Sequence, residues 1–417
     1  MNKTAIYAIV VIVVIAACAA VGYSYLSSQS NSPSVSPLPT ASTTSTPSSS
    51  TSPTETPTAT STPSTSTSPT ETTTPTPTTT PLPPTQEITD MLGRTVTVSN
   101  NVTRIVATNP GCLRLITYMN ASSFVCGVEQ TELTSGGRPY AIAHPEYATL
   151  PVIGPQFGGD PELIVAQKPD VVFTTNTASI DLDSLQSQLG IPVIGFNYGG
   201  VETTESHQDL YDSLTIIGKV LHMEARSTEV INYIDGLLND LSSRTINIPD
   251  ADKPTVYIAG VSSRGTHGFT STSAVYAPFT LTNSKNVVTL ELANNSTGTV
   301  TLDLEALPSL NPQVIFADYA GMQLSMQDIQ NHLDVFNQLD AINSGSTYGV
   351  LGYNSYAQNF EIALSDAYYV GTVLYPTQFA DIDPVQKANE ISTFLCGAPT
   401  YDAMVALYGP LEQVSLT

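Results

Sequence analysis

From about residue 86 onward the chain alternates between two hydrophobic patterns. Short runs rich in Val, Ile and Phe, almost free of polar residues, occur at Arg104–Thr108, Phe124–Val128, Asp170–Thr174, Pro192–Phe196, Thr255–Ala259, Asn286–Leu290, Val314–Phe316 and Tyr348–Leu351. Such runs suit strands covered on both faces. Between them lie stretches with apolar residues every three to four positions. The longest begins near Thr204 with Leu210, Leu214, Ile217 and Leu221, and continues from Met223 to about Arg244 with Val230, Ile231, Ile234, Leu237, Leu238 and Leu241. Twenty-two helical residues span about 33 Å, enough to cross from one lobe to another. Strict alternation at Thr95-Val96-Thr97-Val98, after a Gly-containing turn, predicts a hairpin that opens the globular part at Ile88. Strand and helix in alternation predict an α/β fold with mainly parallel sheets.

One unit occurs twice. Glu162-Leu-Ile-Val-Ala-Gln-Lys-Pro169 precedes an apolar strand, and Glu305-Ala-Leu-Pro-Ser-Leu-Asn-Pro312 repeats that order, each glutamate seven residues before its proline. The prolines end the short helices because they lack an N–H and restrict the preceding residue. A unit used once in each half predicts two similar α/β lobes. The divisions follow: 1–26 a leader, 27–86 a linker, 87–208 the first lobe, 209–248 a helical region containing the interlobe helix, and 249–417 the second lobe.

The leader joins Lys3 to an apolar run from Ala5 to Val21, which reads as a signal peptide or a membrane-anchoring helix. Ile15-Ala16-Ala17-Cys18 resembles a lipobox, with Cys18 as the lipidated residue. Residues 27–85 are almost entirely Ser, Thr and Pro. With almost no apolar side chains to offset chain entropy they form no core, and as extended polyproline II they would reach on the order of 150–180 Å. Either anchor would hold the chain at the outer face of a membrane. Asn101-Val-Thr, Asn120-Ala-Ser and Asn295-Ser-Thr are glycosylation sequons in a host that uses them.

The formal charge of −23 falls almost wholly on the globular part, which excludes nucleic-acid phosphates as a natural partner. Tryptophan is absent and tyrosine numbers 20, so aromatic contact with a ligand falls to Tyr and Phe. Cys112, Cys126 and Cys396 match no zinc spacing. One disulfide, Cys112 with Cys126, or buried free thiols are the two readings. No Gly-x-Ser-x-Gly elbow, P-loop or Gly-x-Gly-x-x-Gly is present, so an enzyme is the weaker reading and no catalytic residue is assigned.

In order and spacing, Thr89-Asp-Met-Leu-Gly-Arg-Thr-Val96, Arg104-Ile-Val, Glu162 through Asp170-Val-Val, Ile191-Pro-Val, Ile217-Gly-Lys-Val-Leu221, Leu304-Glu305, Pro312-Gln-Val-Ile315 and Phe379-Ala-Asp-Ile-Asp383 resemble the solute-binding proteins of ABC importers for iron–siderophore complexes, haem and vitamin B12. The resemblance runs from about Ile88 to near the C-terminus. It implies two lobes joined by one long rigid helix, a ligand cleft between them, no cofactor, a monomer, and as partners a permease with its ATPase and a small-molecule metal chelate. By position it gives Glu162 and Glu305 as the permease-docking residues; the bland alternative is an acid favoured near a helix N-terminus.

Ligands of open α/β sheets bind beyond the carboxyl ends of the strands. That rule selects Asn109, Arg138, Tyr140, Asn176 and Tyr198 in the first lobe, and Arg264, His267, Tyr319 and Tyr356 in the second. Arg138 and Arg264 stand out because bases are scarce and each lies in a Gly-containing loop; a guanidinium pairs bidentately with carboxylate or catecholate oxygen. The tyrosines could stack on a macrocycle or ligate iron, or simply pack. His144 and His267 could ligate haem iron or corrin cobalt axially, though a lone histidine is more often structural and no metal-site pattern accompanies either. The expected function is a membrane-tethered receptor for an iron chelate, haem or a corrinoid. A cell-envelope adhesion module is the alternative.

Overall fold

The computed structural model describes residues 83–134, 136–175 and 177–417. The leader, Cys18, most of the linker and Asn176 lie outside the described residues. Strands β1 (Thr85–Thr89) and β2 (Thr95–Ser99) form the opening hairpin. The first lobe's sheet holds β3 (Ile105–Thr108), β4 (Val125–Gly127), β5 (Val171–Thr174) and β6 (Val193–Gly195), all parallel, in the order β4-β3-β5-β6. The second lobe's sheet holds β7 (Thr255–Ala259), β9 (Lys285–Asn286), β11 (Val314–Asp318) and β12 (Thr347–Val350), also parallel, in the order β12-β11-β7-β9. A small antiparallel pair, β8 (Ser271–Ser273) with β10 (Thr299–Thr301), flanks it.

Numbered within each lobe, both sheets run second, first, third, fourth. The sequence repeat therefore marks a topological repeat: Glu162 and Glu305 each precede the third strand of their lobe, and both are exposed. Asn286–Leu290 is the strand expectation that shrinks most, to the two residues Lys285–Asn286. Its polar Asn286 and Thr289 leave it at the sheet edge, and Asn286 Oδ1 turns the chain by accepting from Val288 N.

Helices α1 (Cys112–Tyr118), α2 (Pro139–Ala143), α3 (Pro161–Ala166), α4 (Leu182–Leu189) and α5 (Thr204–Leu221) belong to the first half. Asp160, Asp181 and Thr203 cap α3, α4 and α5 with their side-chain oxygens. The long helix α6 is Glu224–Thr245, 22 residues as expected, and it buries Val230, Ile234, Leu237 and Leu241. Helices α7 (Ala277–Leu281), α8 (Met322–Asn331), α9 (Phe360–Leu374) and α10 (Pro384–Cys396) follow. The α9 helix is buried nearly all round, which makes it the core helix of the second half. Returning α10 packs on α1 and α2 of the first lobe.

One hydrophobic core runs from the hairpin through the α6 stripe and α9 into the second sheet. Alternation along the first sheet separates it from a smaller cluster. Ile105, Ala107, Val171, Phe173 and Ile194 face the main core, and Val106, Cys126, Val172 and Val193 face the other side. This decides between the two readings of the cysteines. Cys112 lies in the main core and Cys126 beyond the sheet, so both are buried free thiols, as is Cys396. Cys126 Sγ donates to Ile105 O at 3.3 Å.

The deepest polar feature is Arg114 on α1, fully buried. Its guanidinium donates to Gln358 O (2.8 Å), Ser355 O (3.2 Å), Asn359 Oδ1 (2.7 Å) and Tyr198 Oη, and lies 4.0 Å from Glu361 Oε1. Glu361 also accepts from Tyr118 Oη. Arg114 thus fastens a first-lobe helix to residues 353–361, a strap that leaves β12 and enters α9. Removing one partner of a buried pair strands the other charge without water. Arg114→Ala is expected to lower unfolding free energy by about 3–5 kcal/mol, measured by urea denaturation. Asp183→Ala, which removes only the exposed carboxylate of the Arg94–Asp183 ion pair, is the control, expected to lose about 1 kcal/mol or less.

Candidate functional site

In doubly wound sheets the chain diverges at the point where strand order reverses, opening a crevice beyond the strand ends. Here those points lie between β3 and β5 and between β7 and β11. The loops after them face each other across a cleft of about 1030 Å³. The first lobe contributes Pro110, Gln156, Phe157, Asn197, Tyr198 and Glu202, and the second Ser263, Arg264, Thr297, Thr299, Tyr353, Tyr356 and Gln358, among others. The wall is mostly hydroxyl, amide and aromatic.

Arg264 and Glu202 are the charged residues of the lining. Glu202 is engaged, accepting from Val201 N (2.8 Å) and Gln358 Nε2 (3.3 Å). Arg264 is exposed and has no hydrogen-bond or carboxylate partner among the described residues. The other six arginines all donate hydrogen bonds. The cleft therefore presents one uncommitted cation. The Arg264 loop is steadied by His267, whose Nε2 lies 2.8 Å from Ser263 O.

Backbone strain gathers here. Outside Gly, Asn and His, left-handed φ occurs at Phe157 (71°), Lys168 (52°), Arg264 (55°), Tyr356 (52°) and Ala357 (69°), and all but Lys168 line the cleft. Bulky residues adopt this conformation only where surrounding contacts over-determine it. For Tyr356 the contacts are visible. Its hydroxyl donates to Glu129 Oε2 at 2.6 Å and accepts from Phe157 N at 3.3 Å, and its ring lies 5.9 Å from that of Phe157. The strap closes on itself through an Asn354–Gln358 bridge and the Asn359 side chain, which donates to Tyr353 O and Ser355 O. Tyr198 completes the floor, stacked on Phe360 at 4.8 Å with its hydroxyl donating to Gln358 O at 2.6 Å.

Of the residues expected from the sequence, Tyr198, Arg264 and Tyr356 come together in the cleft. Arg138 does not. It is 4 % exposed and spends its donors on Thr131 O, Thr134 O and Glu132. Tyr140 is fully buried and donates to the same Glu132, so Arg138 pairs and Tyr140 hydrogen-bonds a buried carboxylate behind the wall. Asn109 is buried beneath it, its N–H on Glu129 and its amide on Thr174 Oγ1. Tyr319 turns away and donates to Pro410 O at 2.7 Å. His267 holds its own loop outside the lining. His144 pairs with Glu146 at 2.7 Å away from the cleft. Among the described residues no cluster of His, Cys, Asp and Glu is arranged to hold a metal ion. Arg114, Phe157, Glu202 and Gln358 were not expected. The signal for Arg114 was its place inside the apolar run Cys112-Leu-Arg-Leu-Ile, where a charge must find buried partners.

A family model described as periplasmic binding protein matches residues 129–350, taking in half of the first sheet's strands and all of the second's. The chain belongs to the periplasmic binding protein family. At that level it is a binding receptor, not an enzyme, and works outside the cytoplasm. The molybdate-binding protein MolA of Haemophilus influenzae is 23% identical over 329 residues, covering 73% of this chain and 88% of that protein. The molybdate-bound structure of MolA superposes with a TM-score of 0.58 at 19% identity, over 75% of this chain and 98% of that one. A periplasmic solute binding protein from Veillonella parvula gives 0.60 at 16%, over 77% and 95%. CeuE of Helicobacter pylori, in its Ni–His complex, gives 0.53 at 15%, over 78% and 98%. These structural likenesses establish the two-lobed fold shared by the family.

Under the second-lobe loops, Asp318 at the end of β11 ties the site together. Its carboxylate accepts from Ser262 N (3.2 Å) and Ala320 N (2.8 Å), joining the loop that carries Arg264 to the loop after β11. Burial raises its pKa to about 6, although both N–H groups oppose the rise. Relative to the unfolded chain, the native state therefore favours the neutral acid. Stability from this group is full below the unfolded pKa near 4 and is lost as pH rises to about 6, a span of about 3 kcal/mol. Asp318→Asn is expected to narrow the difference in unfolding free energy between pH 4 and pH 7 by up to about that amount. Urea titrations at the two pH values measure it. The variant is less stable at both, because its amide NH₂ faces one of the two backbone donors.

Proposed function

We propose that this family member is the solute receptor of an ABC importer and that its ligand is an anionic metal chelate. The observation that carries the reading is Arg264, the uncommitted guanidinium in a cleft whose other charged lining residue, Glu202, is engaged by Val201 N and Gln358 Nε2. A cleft of about 1030 Å³ lies at the upper end of the range for small-molecule sites, which favours an iron chelate, haem or a corrinoid over a bare ion. Tyr198, Phe157 and Tyr356 supply ring faces and edges for such a ligand. No covalent step is needed, because binding and release are the whole task. A second reading is an inorganic oxyanion, favoured by the sequence likeness to a molybdate-binding protein. On the strength of the sequence, the N-terminal segment tethers the receptor at the outer membrane face, through lipidated Cys18 or an uncleaved helix. Glu162 and Glu305, exposed at equivalent places in the two lobes, are the contacts offered to the permease.

Titrating the protein with a ferric hydroxamate, a ferric catecholate, haemin, cobalamin and molybdate, followed by calorimetry, tests the reading. One saturable chelate is the expected result, and binding of molybdate alone overturns it in favour of the oxyanion. Arg264→Ala is expected to weaken an anionic ligand by about 1.5–3 kcal/mol, the range for a charge-assisted hydrogen bond, roughly 10- to 150-fold in Kd. Unchanged affinity would move the anion elsewhere. Joint replacement Glu162→Ala and Glu305→Ala is expected to abolish uptake by cells while leaving ligand affinity intact. A parallel loss of affinity would show that these glutamates do not act through docking.

A further inference from the structure

The cleft and the exposed face of α3 are separated by a single loop, residues 154–160. Phe157 lines the cleft, and Asp160 caps α3 with Oδ1 accepting from Glu162 N (2.9 Å) and Leu163 N (3.1 Å). The loop is closed into a ring: Asp160 N donates to Ile153 O at 2.7 Å and Gly159 N to Pro155 O at 3.2 Å. It has no slack. Gly154 has φ 118°, and a Cβ there would stand 2.4 Å from Asp160 N. Gly158 (φ 123°) and Gly159 (φ 73°) alone separate Phe157 from Asp160, so the path from the cleft to the cap is short.

Gln130 N holds the ring at Gly154 O (2.9 Å), and one carboxylate holds its cleft side. Glu129, itself buried, accepts from Gly158 N (2.7 Å) and Asn109 N (3.1 Å) of the first lobe and from Tyr356 Oη (2.6 Å) of the second. Tyr356 also takes the Phe157 N–H. A cleft-lining side chain of one lobe thus secures the ring that caps a helix of the other. That helix presents Glu162, Leu163 and Val165 outward, the two apolar residues 43% and 41% exposed.

We propose that the ring is a relay, in which a solute engaging Tyr356 or Phe157 alters their hold on Glu129 and Gly158 and so resets the capped end of α3, making its outer face report whether the cleft is filled. The proposal deepens the receptor reading and rests on it for its use, since a permease gains by docking the loaded receptor. The coupling itself needs neither solute nor permease.

Amide hydrogen exchange on the full chain tests it. Tyr356→Phe keeps the ring and removes only the hydroxyl, which touches neither α3 nor Asp160. The expected result is exchange about 5- to 10-fold faster at Leu163 and Ile164, with α4 unchanged. Glu129→Gln is expected to give the same pattern, and serves if the first variant folds poorly. Faster exchange confined to Phe157 and Gly158, no change anywhere, or equal acceleration in α3 and α4 would each overturn the relay. Failure of the docking reading would appear instead in uptake by the Glu162 and Glu305 variants, with the exchange result intact.

Discussion

The arrangement of this molecule depends on one buried charge. Arg114 has no access to water, so its charge must be met within the protein: both Nη groups donate, mainly to the strap of the other lobe, and Nε faces the Glu361 carboxylate at 4.0 Å. A neutral side chain of similar size would be easier to bury. Replacing a buried ionic group by well-packed apolar residues is often neutral or stabilising, whereas breaking it is strongly destabilising. What the charge supplies is position. Carbonyl oxygens at Ser355 and Gln358 can face a guanidinium only if the two residues between them turn back, and those are Tyr356 and Ala357, both left-handed. Arg114 and Asn359 thereby set the conformation of the strap, and with it the aim of Tyr356 and Gln358 into the cleft.

The same constraint explains what the sequence disclosed. The α/β class, the duplicated lobes and the length of α6 follow from apolar periodicity and from the Glu-to-Pro repeat, because burial acts on every residue of an element and leaves a pattern. The strand-end rule found the right loops. It did not identify the right side chains, since a loop residue can point into the cleft, back into the wall or along its own loop. Arg264 and Arg138 look alike in sequence, each a rare base beside glycines. What separates them is Glu132, buried close to Arg138 and Tyr140, which claims both. Asn109 is lost for the same kind of reason, claimed by Glu129 and Thr174. A local sequence window does not show which carboxylate becomes buried, and that decides which polar residues remain free for a ligand. The thiols teach a similar lesson: Cys112 and Cys126 are near in sequence, but a sheet one residue thick lies between their clusters.

A core that runs without a break through α6 and α9 leaves little scope for the lobes to swing as separate bodies. Long helices packed along one face resist bending, and close-packed interiors rearrange in discrete steps. Recognition must then be carried by loops held in costly conformations against a rigid frame, and this is the distribution observed: four of the five strained residues outside Gly, Asn and His line the cleft, while the strands beneath contain none of them. In such a design information about occupancy has no large hinge to travel by. It passes through short hydrogen-bonded segments whose ends reach both the cleft and the surface. Among these the ring at 154–160 is tied at one end to Tyr356 through Glu129 and continues at the other into the helix that bears Glu162.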